Sequence, residues 1–192
     1  MNVLKYFFCI SLCLIISSCI YNKKEYLEFV RSNTVANITL KTDGYYFSEE
    51  EYRDTYNDSL YIYIDIIFLY KDGTLKYSGS REPASNLPIN ERHKKFTDYI
   101  KIYSKQDTKY VNRWGHFKVD KDSLLFKYYW WGRASYGASY LYEGKGIVIN
   151  DTSFVVTEIK HPQMLAPFSG PQLYKFRQYP FKPDSANPTH RF

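Results

Sequence analysis

Residues Tyr61 to Tyr70, YIYIDIIFLY, limit the folds open to this chain more than any other stretch. Successive side chains of an extended strand point to opposite faces. Ile62, Ile64, Ile66 and Phe68 then share one face, and Tyr61, Tyr63, Asp65, Ile67 and Leu69 share the other. This two-residue period, carried by β-branched and aromatic residues, is the signature of a strand. Asp72 and Gly73 interrupt the run, and Thr74 to Gly79 resumes it. Asp-Gly between two such runs predicts a tight hairpin, because glycine accepts positive φ at no steric cost.

The same texture recurs along the chain. Ala36 to Leu40 alternates, Lys41 to Gly44 reads as a turn, and Tyr45 to Phe47 follows. Residues 48–59 are polar and acidic and read as a loop, as do residues 81–90 with Pro83, Asn86 and Pro88. Trp114 to Val119 meets a turn at Asp120 to Asp122, then Ser123 to Trp131 extends to a break at Gly132 and Arg133. Ser139 to Glu143, the glycines 144 and 146, and Ile147 to Ile149 come next. Asn150 and Asp151 turn the chain into Ser153 to Ile159, and a proline-containing loop, 161–171, leads to Leu173 to Arg177. One helix stands among these strands. Asn90 can cap it, and Phe96, Tyr99, Ile100 and Tyr103 recur at helical spacing over residues 91–104. Such a helix lies on a sheet or plugs a barrel end. Tyr, Phe and Trp number 21, 13 and 3, which suits strands.

These features predict an all-β chain of eight or nine strands. The expected fold is an antiparallel up-and-down meander, a lipocalin-like barrel of about eight strands with one amphipathic helix. An open sheet or a β-sandwich is the alternative. The 192 residues give room for one domain, at 36–179. The stretch 180–192 has three prolines and few apolar groups, and is expected to be disordered.

The amino terminus carries a different signal. Lys5 precedes an apolar run from Tyr6 to Ile16, and Ile16, Ser17, Ser18 and Cys19 close it. The run is shorter than the roughly 20 residues that span a bilayer. The closing residues resemble the lipobox of bacterial lipoproteins. The resemblance covers residues 1–19 and implies cleavage after residue 18 and a diacylglycerol on the Cys19 thiol. It also implies acyl chains that hold the protein at a membrane. Ile20 rather than an aspartate follows Cys19, which in lipoprotein sorting implies the outer membrane. A plain secretory signal with an incidental cysteine, or a short membrane anchor, is the alternative. Residues 19–35 are then a lipid-anchored tether in which Glu25 to Arg31 can form one or two helical turns. Cys9, Cys13 and Cys19 are the only cysteines, so a processed chain has no free thiol for disulfides, thiol catalysis or metal binding.

A looser pattern runs through residues 43–160. Tyr45, Tyr70, Asp72, Gly73 and Thr74, then Trp114, Gly115, Val119, Asp122 and Leu124, then Gly144 and Asn150 to Thr152 are mostly turn residues and core alternation. Their arrangement resembles that of small uncharacterised lipoproteins of Gram-negative bacteria, and implies fold and envelope location without any chemistry.

The chemistry-bearing residues are spread thinly. His93, His116, His161 and His190 share no metal-ligand spacing, and no Gly-x-Ser-x-Gly elbow occurs. No cofactor is expected, and surface or half-buried histidines are the default. Seven acids face one arginine over residues 43–65, without the glycine of a calcium loop, and read as a solvated loop. Removing residues 1–18 takes one lysine and no acid, lowering the net charge from +6 to +5. In an exported chain this balance does not point to nucleic acid; it reads as an ordinary basic surface, with contact with anionic lipid as its more specific use. Residues 91–133 hold eleven Lys and Arg against five acids, and Arg92, Lys94, Lys95 and Lys101 mark the helix's polar side, which reads as a solvated face, with a membrane-facing helix as the alternative.

Two features bear on binding. Asp65 interrupts an apolar strand, where an ionised group must be paired or wet. On an inward face it is a ligand anchor or the partner of a buried cation; on an outward face it is ordinary. Tyr128, Tyr129, Trp130, Trp131, Tyr136, Tyr140 and Tyr142 form an aromatic cluster. Together with Tyr63 and Asp65, the rings Tyr128, Trp130, Tyr140 and Tyr142 either line a cavity for a small apolar or glycan ligand or fill the core. The expected function is a membrane-tethered binding module. A structural or interaction lipoprotein acting through its surface is the alternative, and an enzyme ranks below both.

Overall fold

Each strand of the domain pairs antiparallel with its neighbour in sequence, and the last closes on the first. The structure is a computed structural model. It describes residues 24–32, 39–54, 56, 58–83, 87–107, 113–131, 139–160, 170–180 and 182. Within these, only the backbone is described at 52, 79–83, 99–107, 131 and 139. The strands are β1 (Gly44–Arg53), β2 (Leu60–Leu69), β3 (Thr74–Pro83), β4 (Trp114–Asp120), β5 (Ser123–Trp131), β6 (Ser139–Asn150), β7 (Ser153–Lys160) and β8 (Gln172–Gln178). They form a closed barrel in sequence order, the up-and-down meander expected rather than an open sheet or sandwich.

The chain divides into two units, residues 1–34 and 35–192. In the first, residues 24–31 form a short helix, α1, of about the length expected. Lys24 and Glu28, one turn apart, approach to 3.9 Å, and the Ser32 hydroxyl donates to the Phe29 carbonyl at 2.8 Å. Residues 1–19, including Cys19, lie outside the described residues. So do Tyr136, His161, His190, the loop 161–169, and 183–192 of the tail.

The two faces of β2 separate as its sequence divides them. Ile67 and Leu69 point into the barrel with Tyr46, Leu75, Phe117, Leu124, Phe126, Phe154 and Val156. Ile64, Ile66 and Phe68 point outward and are buried just as fully, in a second cluster with Tyr45, Trp114, Phe96 and Tyr179. Phe96 belongs to the second helix, α2 (Ile89–Asp107), which therefore lies on the outer wall over β1 and β2. This explains why both faces of β2 are apolar: one faces the barrel core and the other the helix. Burying one such side chain contributes about 1.5–3 kcal/mol. The side chains of Tyr99, Ile100 and Tyr103 lie outside the described set.

Several boundaries differ from the expectation. β1 runs on to Arg53, through residues read as an acidic loop, because Ser48 to Arg53 pair in unbroken register with Asp65 to Leu60. β3 likewise extends to Pro83 opposite Tyr61. β6 runs on through its glycines; Gly144 lies opposite Phe126 so that the ring rests where a side chain would stand, and the pairing with β7 shifts register between Lys145 and Gly146. Arg92 is not on a solvated face but half-buried against β1. His93 and His116 are fully buried rather than at the surface.

The two ends of the barrel are unlike. The lower end has tight turns: Gly73 at φ 80° and Lys121 at φ 56° occupy left-handed positions, and the Asn150 carboxamide accepts from the Thr152 amide at 2.9 Å. The upper end carries the long connections, including α2. Lys182, inside the stretch expected to be disordered, is held at the lower end. Its ammonium donates to the Thr42 carbonyl at 2.6 Å and to the Leu69 carbonyl, and sits 3.9 Å from the Tyr70 ring centre.

Candidate functional site

The barrel interior changes character along its length. Its lower half is aliphatic and phenylalanine-rich, whereas its upper half collects hydroxyls around one acid. Asp65 sits midway along β2 and faces inward, 6 % exposed. Its carboxylate accepts from the Tyr77 hydroxyl at Oδ1 and from the Tyr174 hydroxyl at Oδ2, the latter at 3.5 Å. Among the described residues no lysine or arginine pairs with it, so the buried-cation alternative is not what the fold uses. Burial pushes the carboxyl up from 3.8 to about 6, against the two tyrosine hydrogen bonds, which act to lower it. The same burial, with the acid's charge nearby, holds the Tyr77, Tyr128 and Tyr174 hydroxyls well above the ordinary tyrosine range. They therefore stay protonated and act as donors at neutral pH.

The aromatic residues singled out in the sequence converge here. Tyr128 and Tyr142 are register partners across β5 and β6, as are Trp130 and Tyr140, so all four share one face. Tyr128 stacks on Tyr77 at 4.7 Å between ring centres and on Tyr142 at 5.1 Å. Trp130 meets Tyr77 edge-on at 5.4 Å. Tyr128 is buried, whereas Tyr63, Trp130, Tyr140 and Tyr142 are half-buried toward the upper end. Tyr63 is pushed up to about 12 by burial first and by the Asp65 charge second, with the Arg113 charge opposing them. Arg113 adopts φ 68° at the start of β4, and its guanidinium lies 4.7 Å from the Trp130 ring centre. The deep rings thus fill the barrel, and the half-buried ones form an aromatic rim at the upper end beside one cation.

Sequence reasoning missed Tyr77, Tyr174 and Gln172. Tyr77 was within reach, since the Asp72-Gly73 hairpin sets Gly79 opposite Asp65 and Tyr77 one inward position along. Nothing local marks Tyr174, which is 109 residues from the acid it meets. Gln172 extends the network: its Oε1 accepts from the Tyr174 hydroxyl at 3.4 Å, and its Nε2 donates to Glu50 Oε2 at 3.1 Å. A polar chain therefore runs from Glu50 through Gln172 and Tyr174 to Asp65 and on to Tyr77.

Glu50 and Gln172 also line a cavity of about 540 Å³ between β1 and β8, with Phe47, Ser48, Glu49, Leu173, Lys175 and Ile89 of α2 among the other walls. Beside it, Arg92 reaches Glu49 at 3.3 Å. The Tyr45 hydroxyl and His93 Nδ1 are hydrogen-bonded at 2.8 Å, and His93 Nε2 lies 3.7 Å from Glu49. Burial and the charges of Arg177 and Arg92 lower His93 from 6.5 to about 4, so the ring is neutral at physiological pH.

No group of three or more His, Cys, Asp or Glu among the described residues is placed to hold a metal ion. No helix among them is long and apolar enough to cross a membrane. No protein-family model, curated protein or solved structure matches the chain. The fold and site define an eight-stranded up-and-down barrel with a polar, aromatic-rimmed upper half.

Proposed function

We propose that this chain is a binding module of the bacterial cell envelope, tethered to the outer membrane through lipid on Cys19. In this reading the upper end of its barrel holds a small ligand bearing a sugar ring or an apolar face. The observation that carries the binding reading is Asp65. A barrel that needed only a core would gain stability from an apolar residue there, because burying an acid without a cation is costly. The acid is instead kept among tyrosine donors beneath a half-buried aromatic rim. Rings of that kind stack on the apolar face of a sugar, and the chain from Glu50 to Asp65 offers acceptors for its hydroxyls. This polar lining favours a glycan over a wholly apolar ligand. The lipid tether rests on the lipobox-like residues 16–19 and on the arithmetic of acyl anchoring, in which two or more chains hold stably and one does not.

The test of binding is tryptophan emission during titration with a neutral oligosaccharide, chitotetraose, and separately with a fatty acid, palmitate. The sugar should shift the emission, and Trp130→Phe should remove most of the change while Asp65→Asn weakens binding. No response to either probe, or a response that survives both substitutions, overturns the reading. For the tether, Cys19→Ala should abolish incorporation of a fatty-acid analogue and leave an uncleaved precursor; unchanged incorporation sinks it.

The alternative of a surface-acting lipoprotein gains one observation. Ile147, Val155 and Leu173 stand opposite one another on the outer face of β6, β7 and β8, with Ile147 and Leu173 51 % and 42 % exposed. An exposed apolar row of this kind suits a protein contact.

A further inference from the structure

The ladder that closes the barrel stops short of its strands. β1 pairs with β8 at only four positions, from Gly44 opposite Gln178 to Phe47 opposite Lys175. β1 then continues from Ser48 to Arg53, paired among the described residues only with β2. β8 begins at Gln172, and among the described residues its upper part pairs with β7 alone. Where the two strands part, the gap is bridged by a side-chain hydrogen bond from Gln172 to Glu50 at 3.1 Å rather than by backbone. The cavity of about 540 Å³ lies in this gap.

Its lining says what shape it has. Phe47, Glu49, Leu173 and Lys175 belong to the outward-facing set of their strands, and Ser48, Glu50 and Gln172 to the inward-facing set. A dent in the outer wall would expose one parity only. Consecutive residues of both strands line this space, so it lies in the plane of the sheet. It has the form of a missing strand.

We propose that this slot is a docking site for an extended, basic peptide segment of a partner protein, which pairs with the free upper edges of β1 and β8. The backbone edges supply directional hydrogen bonds that any extended peptide can use. Side chains supply the choice. Phe47, Ile89 and Leu173 offer apolar contacts at the rim. β1 and the turn after it carry Glu49, Glu50, Glu51, Asp54 and Asp58 against Arg53, and Lys175 is the one base among the described lining residues. Arg92 pairs with Glu49 and Arg53 with Asp58, whereas Gln172 bonds Glu50 without cancelling its charge and Glu51 is exposed. The field along the slot is therefore negative and favours a segment that alternates basic and apolar residues. The same acids discourage pairing between copies of this chain, since two acidic edges repel. The slot shares Glu50 and Gln172 with the polar chain that leads to Asp65, but none of the rim rings Tyr63, Trp130, Tyr140 and Tyr142 is among its described lining residues.

The test uses the full chain, isotope-labelled, and blocked hexapeptides. One alternates lysine and valine, one alternates glutamate and valine, and one is the lysine peptide with alternate amides N-methylated. The lysine peptide should shift and protect the amides of Ser48–Arg53 and Gln172–Lys175. The glutamate peptide should bind at least about tenfold more weakly, and the N-methylated one should give no protection. Glu51→Lys, an exposed change that leaves the fold intact, should weaken the lysine peptide about threefold to fivefold. Absence of binding at millimolar peptide, equal binding of the N-methylated peptide, or shifts centred on Tyr63 and Trp130 would each overturn the proposal.

Discussion

Asp65→Asn replaces the buried acid with a neutral side chain of nearly the same shape. The carboxyl titrates near pH 6 in the fold against 3.8 in an unfolded chain. Each unit of difference corresponds to about 1.4 kcal/mol, so keeping Asp65 ionised inside the barrel costs about 3 kcal/mol at neutral pH. The sign follows from proton counting. Below pH 3.8 both states are protonated and the cost is absent. Between 3.8 and about 6 the folded chain holds a proton that the unfolded chain has released, so stability falls as pH rises. Above about 6 the full cost is present. Asparagine carries none of it and keeps an acceptor for the Tyr77 hydroxyl. The variant should therefore be more stable than the parent by about 2–3 kcal/mol at pH 7.5, and the gain should shrink to nearly nothing at pH 4. Urea unfolding of both proteins across this range measures it, because other titrating groups cancel in the difference. A difference that is flat with pH, or an asparagine variant that is less stable at pH 7.5, would refute the account of Asp65 as an uncompensated buried charge. A stability gain accompanied by lost oligosaccharide binding would mark the acid as one retained for function at a cost to the fold.

Four further outcomes follow from the packing. Gly144→Ala would place a methyl 2.0 Å from the Phe126 ring, so it should destabilise by about 1–3 kcal/mol, and Phe126→Leu in the same chain should restore part of the loss in urea unfolding. His93 and His116 are both lowered to about 4 by burial, so unfolding takes up protons below pH 6.5 and stability is lost as pH falls toward 4; His93→Gln with His116→Gln should flatten that limb of the urea profile, which runs opposite to the Asp65 effect. Lys182→Met removes two hydrogen bonds from a charged donor and a cation over Tyr70, and should lower stability by about 2 kcal/mol with faster amide exchange near Leu69 and Tyr70. Phe96→Ala should cost about 3–5 kcal/mol and expose the outer face of β2 to a hydrophobic dye.

The elements legible in the sequence were those whose signal is local. The alternation of Tyr61 to Tyr70 and the Asp72-Gly73 turn place β2, β3 and their register without outside help. The acidic run at 48–53 reads as loop because its charges oppose strand propensity; only pairing with β2 makes it a strand. Gly144 reads as an interruption until Phe126 is seen to fill its place. Asp65 stood out because it broke a pattern, and the rings of β5 and β6 because they were clustered. What they meet was hidden. Tyr174 and Gln172 come from β8, which closes the barrel from the far end of the domain, and no periodicity encodes a contact across 109 residues. His93 was misplaced for a related reason: its helix covers a strand whose outward face looks, in sequence, no different from an exposed one.

The four-pair ladder between β1 and β8 also sets the order in which this domain can be assembled. Every other strand pair joins neighbours in sequence and can form as a hairpin or a helix-bearing loop. The closing ladder alone joins Gly44 to Gln178, and so waits on the last strand to be synthesised. Until then β1 and β7 are open edges, and the sheet can neither curl shut nor enclose Asp65. Closure between residues so far apart in sequence carries a loop-entropy cost that the hairpin pairs do not. A chain built in this way stays unlocked for almost the whole of its synthesis and locks from its carboxyl end.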